Sequence, residues 1–597
     1  MQLFHKKIAV SALALSGLLM LDACSNDFLT RPPQGQYSPN SLANGQGIEG
    51  ILIGAYGMLD GQGIDGQNAW ENEVQNWVFG GITSDDAYKG TDSGDQPEQS
   101  FLERYDFQPT NGHIRNKWRG LYEGVARTNN VLDNLASAKD ISDTRRKQIE
   151  AEARFLRGYY HFEARKIFRY VPYIDEKIYD VADPNSTKIP NDKEIWPNIE
   201  ADFQAAAAGL PETQAQPGRP TKWAALAHLG KTYMFQGFDI ATGAPNAAKL
   251  QAAKAVFDQI VNSGKFTLMS NFSQNFDSDT RNNAESIFEV QYAKSASDDG
   301  AATAGMGLAH PYASPWGCCG FYQPSQNLVN AYKTDATGLP LLDTFNDSDV
   351  KNDQGVALDA PFTPYTGPLD PRLDWTVGRR GILYKDFKIH NSDFIRDQTY
   401  AGPYSPKKHV ASKKNTLLGV GWQNLTANNY RLIRYAHVLL WLAEAEIEVG
   451  SLSRARELVN LVRKRAANPA DFVRKALPGD TRDAYTELAE PAANYVIAEY
   501  GAASPVFATK ESARKAVRFE TRLEFAMEGH RFFDLVRWGI ADQTLNAYLT
   551  KEGEKRTYLK AGRFTKGKNE YFPVPQQAID NAFKNGAPTL IQNPAYK

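Results

Sequence analysis

The chain contains 597 residues, with 67 lysines and arginines against 69 aspartates and glutamates and a net charge of −2. This length is sufficient for a large hydrophobic core, and the balanced charge disfavours nucleic acid as a partner, because phosphate binding needs clustered, unbalanced basic residues. With only 3 cysteines, the chain cannot be a scaffold held together by several disulfides.

The first residues are typical of an export signal. Lys6 and Lys7 precede a 13-residue apolar run, Ile8–Met20, which is too short to span a bilayer. The run ends beside a stretch that resembles the cleavage box of bacterial lipoproteins, in which Cys24 would be acylated. We predict a signal peptide over residues 1–23 and a lipid on Cys24, with an ordinary signal peptide as the alternative. No other stretch is apolar over about 18 residues, so acyl chains would be the membrane attachment.

Residues 65–112 form an irregular stretch with candidate ligand contacts. Tyr88, Asp92 and Gln96 lie in a polar loop, where an aromatic face can stack on a sugar ring and polar side chains can bind hydroxyl groups. Phe101, in the same stretch, is expected to pack on the scaffold instead.

Two consecutive carboxylates, Asp85 and Asp86, precede this loop. Glycoside hydrolysis requires two carboxylates that face one bond, whereas the side chains of consecutive residues usually diverge. We therefore expect these two residues to cap the loop.

Helical periodicity dominates from Ile114 onward. Apolar residues recur at three- and four-residue steps in three successive helix pairs: 114–132 with 149–168, 221–237 with 247–263, and 431–450 with 451–466. In the third pair Gly450 is the predicted C-cap of the first helix, and Ser451 or Ser453 is the N-cap of the second. Because such pairs are typical of tetratricopeptide-type units, we predict an all-α, mostly helical fold with little β structure.

Long irregular stretches at 265–325 and 335–425 separate these pairs. Loops of this length are uncommon inside a compact body unless they are functional, and their aromatic content argues against disorder. We interpret them as a recognition surface mounted on the helical scaffold.

One of these loops is rich in aromatic residues. Trp316, between a proline and a glycine, is the ring that we expect to be most exposed, followed by Tyr88, Tyr312 and Tyr322, whereas Phe321 is expected to pack on the scaffold.

The adjacent Cys318 and Cys319 lie in the same loop. They form either a vicinal disulfide that stiffens the loop or two unreactive thiols. The sequence leaves both possibilities open.

The densest cluster of charge lies between residues 510 and 537. Glu524 and Glu528 are one turn apart on a predicted helix, and His530 and Asp534 have the spacing of two helical metal ligands. However, no HExxH motif occurs, and charges of alternating sign at helical spacing are typical of an ion-pair network. We therefore predict a structural role here, with no catalytic residue, no metal site and no cofactor.

Several segments together resemble the SusD/RagB-like outer-membrane lipoproteins, which capture nutrients for TonB-dependent transporters. They are the residues around 27–33, the helical stretches 151–174 and 434–450, and the closing stretches 520–539, 571–580 and 592–596. The resemblance implies two regions, 24–270 and 271–597, that form one compact body.

The same resemblance implies a function. We expect a lipid-anchored protein on the outer membrane, facing the cell exterior, that binds a glycan and delivers it to a SusC-like TonB-dependent transporter. Both aromatic loops correspond in place to the family's ligand-binding loops, and the first lacks the tryptophan of starch-binding members, which argues against starch. The alternatives are an oligopeptide-binding member of the family, a lipoprotein glycoside hydrolase and a protein-interaction adaptor.

Overall fold

The computed structural model describes the residues 42–61, 69–72, 74–293, 304–312, 315–415, 426–481 and 483–597. About 46% of the chain is helical and 10% is strand, in small sheets. The prediction of a mostly helical fold is therefore confirmed. The predicted signal peptide and Cys24 lie outside the described residues.

Long helices form the scaffold, and several short helices lie between them. In chain order the helices are α1 Gly45–Gly57, α2 Ala69–Asn72, α3 Pro97–Glu103, α4 Gly112–Ser137, α5 Asp143–Phe168, α6 Trp196–Gly209, α7 Lys222–Met234, α8 Ala247–Asn262, α9 Gln326–Ala331, α10 Leu373–Thr376, α11 Gln398–Ala401, α12 Tyr435–Val449, α13 Leu452–Ala466, α14 Lys510–Phe525, α15 Arg531–Arg537, α16 Ala541–Glu552 and α17 Gln576–Asn581. Across the described residues, every helix is too short or too polar to cross a lipid bilayer.

The strands are short and pair two by two, in antiparallel register. They are β1 Ala87–Gly90, β2 Ser286–Val290, β3 Phe321–Pro324, β4 Val377–Gly378, β5 Leu383–Tyr384, β6 Lys388–Ile389, β7 Ser405–Pro406, β8 Tyr430–Arg434, β9 Arg474–Pro478, β10 Tyr485–Pro491, β11 Phe583–Lys584 and β12 Ala587–Pro588. The pairs are β1 with β3, β2 with β8, β4 with β7, β5 with β6, β9 with β10 and β11 with β12.

The three predicted helix pairs are present, although the first helix of the third pair begins only at Tyr435, because residues 431–434 belong to strand β8. Helix α4 packs on α5, α7 on α8 and α12 on α13, and α6, which the periodicity did not single out, packs on α5. Gly450 is the C-cap of α12, and Ser451 caps α13 by accepting the backbone N–H of Arg454 at 3.3 Å. Ala443 and Ala455 are fully buried, which allows the two helices of the third pair to approach closely.

Buried ion pairs join α14 to the segments around it. The Glu524 carboxylate binds Arg372 at 3.0 Å and Arg434 at 2.5 Å, and it also binds Arg465. Burial alone would raise the pKa of Glu524, but the three guanidinium groups hold it well below its usual range. The predicted ion-pair network is therefore present around Glu524, where its members are buried.

The helix that carries Glu524 is shorter than predicted. It ends at Phe525, so Glu528 lies in the turn between α14 and α15 instead of one helical turn further on. Gly529 has a φ of 73°, in the left-handed region that glycine tolerates best, and this turns the chain before α15 begins. Glu528 still joins the network, because it binds Arg434 at 2.9 Å and Lys408 at 3.0 Å.

Candidate ligand-binding surface

The pairing of β1 with β3 brings the two aromatic loops together. Tyr88 lies opposite Gln323 in this ladder. Beyond the ladder, the backbone N–H of Thr91 donates to the Gly320 carbonyl at 2.6 Å and lies 3.1 Å from Gln323 Oε1. The loop that follows β1 therefore lies beside the segment that precedes β3.

Asp85 and Asp86 anchor the start of β1. Asp85 binds Arg531 at 2.8 Å, and Asp86 binds Arg522 at 2.8 Å. Although burial opposes ionisation, the two arginines lower the pKa of Asp85 to about 2. The expectation that these carboxylates cap the loop is wrong, because distant arginines from α14 and α15 engage them.

The side chain of Lys89 binds the backbone of the loop that follows β1. Its ammonium group donates to the carbonyl oxygens of Asp92 at 2.6 Å and Asp95 at 2.5 Å, and burial lowers its pKa to about 8. The Asp92 carboxylate also accepts the backbone N–H groups of Gly94 and Asp95, both at 2.9 Å. The loop is therefore fixed by its own side chains.

What we call the loop surface consists of Asp92, Asp95, Tyr312 and Arg396, together with the half-buried Gln96 that follows Asp95 in the chain. The Arg396 guanidinium binds Asp92 at 2.8 Å and Asp95 at 2.9 Å, and lies 5.6 Å from the ring centroid of Tyr312. Tyr312 is 38% exposed, and its backbone N–H donates to the Phe394 carbonyl at 2.9 Å. The surface thus combines an exposed ring with carboxylate, amide and guanidinium groups, the combination that binds sugar rings and hydroxyl groups.

The expectation that Trp316 is exposed is wrong. Its side chain is only 5% exposed and packs against Tyr384, Phe387 and Phe394, with ring centroids 5.5, 4.7 and 5.7 Å away. Those three rings come from a segment about 70 residues further along the chain, which the local sequence around Trp316 does not reveal. Trp316 therefore packs beneath the loop surface and is not part of its exposed face.

Tyr88 and Tyr322 are also buried, contrary to expectation. The Tyr88 hydroxyl donates to Glu552 at 2.5 Å, and the Tyr322 ring lies 5.7 Å from that of Trp77. Both residues belong to paired strands whose two faces are covered by the scaffold.

Of the two phenylalanines expected to pack on the scaffold, one does so. Phe321 is buried as expected, but Phe101 is 39% exposed at the end of the first loop.

Cys318 and Cys319 are joined in a disulfide immediately before β3. Cys319 is buried and Cys318 is half-buried. Tyr312 lies six residues before this bridge, and β3 begins two residues after it.

A cluster apart from the loop surface has the residue types of a metal site. Ligand atoms of His437, Glu528 and His530 all lie within 4.8 Å of one another. However, His437 Nδ1 accepts the backbone N–H of Arg434 at 3.1 Å, so the neutral ring carries its proton on Nε2. Glu528 is already bound by Arg434 and Lys408. This donor set does not fit a divalent cation.

Arg396 is a residue of the loop surface that carries no signal in the sequence. It lies in the long stretch 335–425, and its neighbours in the sequence carry no ligand-binding pattern. Only the tertiary fold brings it to Asp92 and Tyr312, so no local signal could have identified it.

Comparisons with known proteins agree with this fold. A sequence model of the SusD family matches residues 284–596, just over half of the chain, and a model described as "Starch-binding associating with outer membrane" matches residues 69–234. SusD-like protein P2 of Formosa agariphila is 25% identical over 474 residues, which cover 77% of this chain and 82% of that protein. A SusD-like protein of Bacteroides ovatus is 24% identical over 469 residues, which cover 75% of this chain and 74% of that protein.

Solved structures show the same architecture. Surface glycan-binding protein A from Bacteroides thetaiotaomicron, in complex with laminarihexaose, aligns with a TM-score of 0.63 at 21% identity, covering 92% of this chain and 99% of that one. A SusD superfamily protein from Bacteroides vulgatus aligns with a TM-score of 0.64 at 21% identity, covering 92% of this chain and 98% of that one. Together with the match over residues 284–596, these findings establish that the chain belongs to the SusD family.

Proposed function

We propose that this protein is a lipid-anchored glycan-binding protein on the outer surface of the outer membrane, and that it delivers oligo- or polysaccharide to a SusC-like TonB-dependent transporter. Membership of the SusD family supports the proposal, as does the relative solved with laminarihexaose. The predicted lipid on Cys24 would tether the helical body to the membrane.

The observation that carries the proposal is the loop surface. Tyr312 is an exposed ring held beside Arg396, which Asp92 and Asp95 fix in place. A group that is already ordered loses little entropy when a ligand docks, so more of the contact energy appears as affinity. We assign ligand contacts to Tyr312, Asp92 and Gln96, and supporting roles to Trp316, Tyr88 and Tyr322.

The arrangement of the carboxylates near the loop surface favours binding of a glycan over its hydrolysis. Asp85 and Asp86 are each engaged by an arginine, and Asp92 and Asp95 share Arg396. A glycosidase needs one carboxyl group kept protonated as the acid and a second one facing it across the scissile bond. Each of these carboxylates is held by a guanidinium group instead of facing a second carboxyl group across an open site, which supports a binding role.

Titration calorimetry of the mature protein against a panel of neutral glycans, laminarihexaose among them, tests the proposal. Replacing Tyr312 by alanine should weaken the best ligand by about 1 to 3 kcal/mol, the scale of bases stacked on aromatic side chains. Phe583→Ala is the matched control, because this ring is 48% exposed on β11, outside the loop surface. An equal loss of glycan affinity in both variants would show that Tyr312 is not a ligand contact.

The same panel separates the alternatives. Binding of peptides with indifference to every sugar would indicate the oligopeptide-binding function. Release of shorter sugars would indicate a glycoside hydrolase, and retention of intact sugar supports the proposed function.

A further inference from the structure

A groove of about 690 Å³ lies apart from the loop surface. Its walls are one face of α4, the segment from Pro172 to Lys188, and the chain around α17. Small-molecule sites usually have volumes of roughly 300 to 1,000 Å³. None of the residues of the loop surface lines this groove, so it would be a separate site.

The first wall alternates cations and aromatic rings. Arg115, Trp118, Arg119 and Tyr122 recur at three- and four-residue steps, which places them on one face of α4. The Tyr122 hydroxyl donates to the Pro172 carbonyl at 2.8 Å, and its ring centroid lies 4.8 Å from that of Trp118. The two rings are therefore held in fixed positions at the groove.

The opposite wall carries Tyr179 and Lys188 on a loop with internal support. The Asp175 carboxylate accepts the backbone N–H of Ile178 at 3.1 Å, and Lys188 donates to the Phe583 carbonyl on β11 at 3.1 Å. The second bond ties the loop to the C-terminal hairpin. The groove is thus bounded on both sides by ordered chain, which lowers the entropy lost on binding.

The charge of the groove is unbalanced. Among the described residues that line it, Arg115, Arg119 and Lys188 are cationic and Glu123 is the acidic one. Glu123 is itself paired with Arg127 at 2.7 Å. A concave surface with an excess of positive charge favours ligands of negative charge.

We propose that this groove is a second saccharide-binding site, selective for sugars that carry carboxylate or sulfate groups. Tyr122 and Tyr179 supply faces on which a pyranose ring can stack, and the Arg115 guanidinium and the Lys188 ammonium supply donors for the anion. Amide groups of Gln577 and Asn581, at the edge near α17, are available for hydroxyl groups. This inference goes beyond the proposed function, because it uses none of the loop surface.

Calorimetry with three defined trisaccharides tests the site: trigalacturonate, a sulfated galactotriose and neutral galactotriose. Wild type should bind an acidic trisaccharide more tightly than the neutral one, and more weakly as salt rises. The double variant Arg115→Gln with Lys188→Gln should weaken acidic binding by about tenfold or more. Lys177→Gln is the control, because this exposed lysine lies on the same loop outside the groove. The preferred probe identifies the anion.

Two results would overturn the inference. One is that wild type binds neither acidic trisaccharide at millimolar concentration. The other is that Arg396→Gln abolishes acidic binding while the double variant retains it, since the ligand would then occupy the loop surface. If the double variant has a lowered melting temperature, the Tyr179→Ala variant is measured in its place, and its affinity for the acidic trisaccharides is judged by the same two results. Neutral glycans measured with Tyr312→Ala report on the proposed function separately.

Discussion

Replacing Trp316 by alanine separates a supporting role from direct contact with ligand. The ring is 5% exposed and packs against Tyr384, Phe387 and Phe394. Truncating a buried tryptophan usually costs about 3 to 5 kcal/mol of unfolding free energy, from lost burial and the cavity that remains. We expect about 3 kcal/mol, because the ring belongs to a small satellite cluster outside the main core.

Urea unfolding followed by far-ultraviolet circular dichroism measures this loss, with Trp316→Phe as the matched control that keeps a ring in place. The control should cost less than about 1.5 kcal/mol. Glycan affinity should also fall in the alanine variant. The Phe394 ring would lose its contact with Trp316, and the backbone carbonyl of Phe394 is the group that accepts the Tyr312 N–H. Unchanged unfolding together with lost glycan binding would refute this reasoning and make Trp316 a ligand contact.

Three further predictions follow from the ion pairs and the N-terminus. Glu524→Gln should lower the unfolding free energy by about 3 to 5 kcal/mol, because three buried guanidinium groups lose their charged partner; Glu457→Gln, with a side chain 64% exposed, is the control and should change it by less than about 0.5 kcal/mol. Burial opposes ionisation of Glu163, but Lys166, Lys231 and Lys117 lower its pKa from 4.5 to about 2, so its stabilising contribution is complete above pH 4.5 and is lost as the pH falls towards 2. Glu163→Gln should therefore flatten the fall of melting temperature over this range, and an unchanged slope would contradict the assignment. Cys24→Ala should move the protein out of the outer-membrane fraction, and membrane retention in cells that lack the transporter would count against a lipid anchor.

The scaffold could be predicted from the sequence because its signals are local. Helical periodicity and the Gly450 and Ser451 caps depend on residues within a few positions of one another, and all of them hold in the structure. The end of α14 was missed, because the turn at Gly529 is compatible with the charge spacing that predicted a continuous helix. The division of the chain into the regions 24–270 and 271–597 stays a prediction.

The binding surface was predicted less well, because exposure is a tertiary property. A tryptophan between proline and glycine has the sequence of an exposed loop, yet Trp316 is covered by rings from a distant segment. Tyr312 lies in an equally irregular stretch and is exposed. Arg396 joins the surface through ion pairs with residues about 300 positions earlier, which no window of the sequence can display.

The β1–β3 ladder also determines when this surface can form. Thr91 and Gln323 are 232 residues apart, and Asp85 and Arg531 are 446 apart. Contacts between residues this distant close large loops and form slowly, whereas each helix pair depends on neighbours and can form early. A growing chain therefore acquires its helical units first. A chain truncated before α15 would retain much of its helicity but lack Arg531, one of the two arginines that anchor the start of β1.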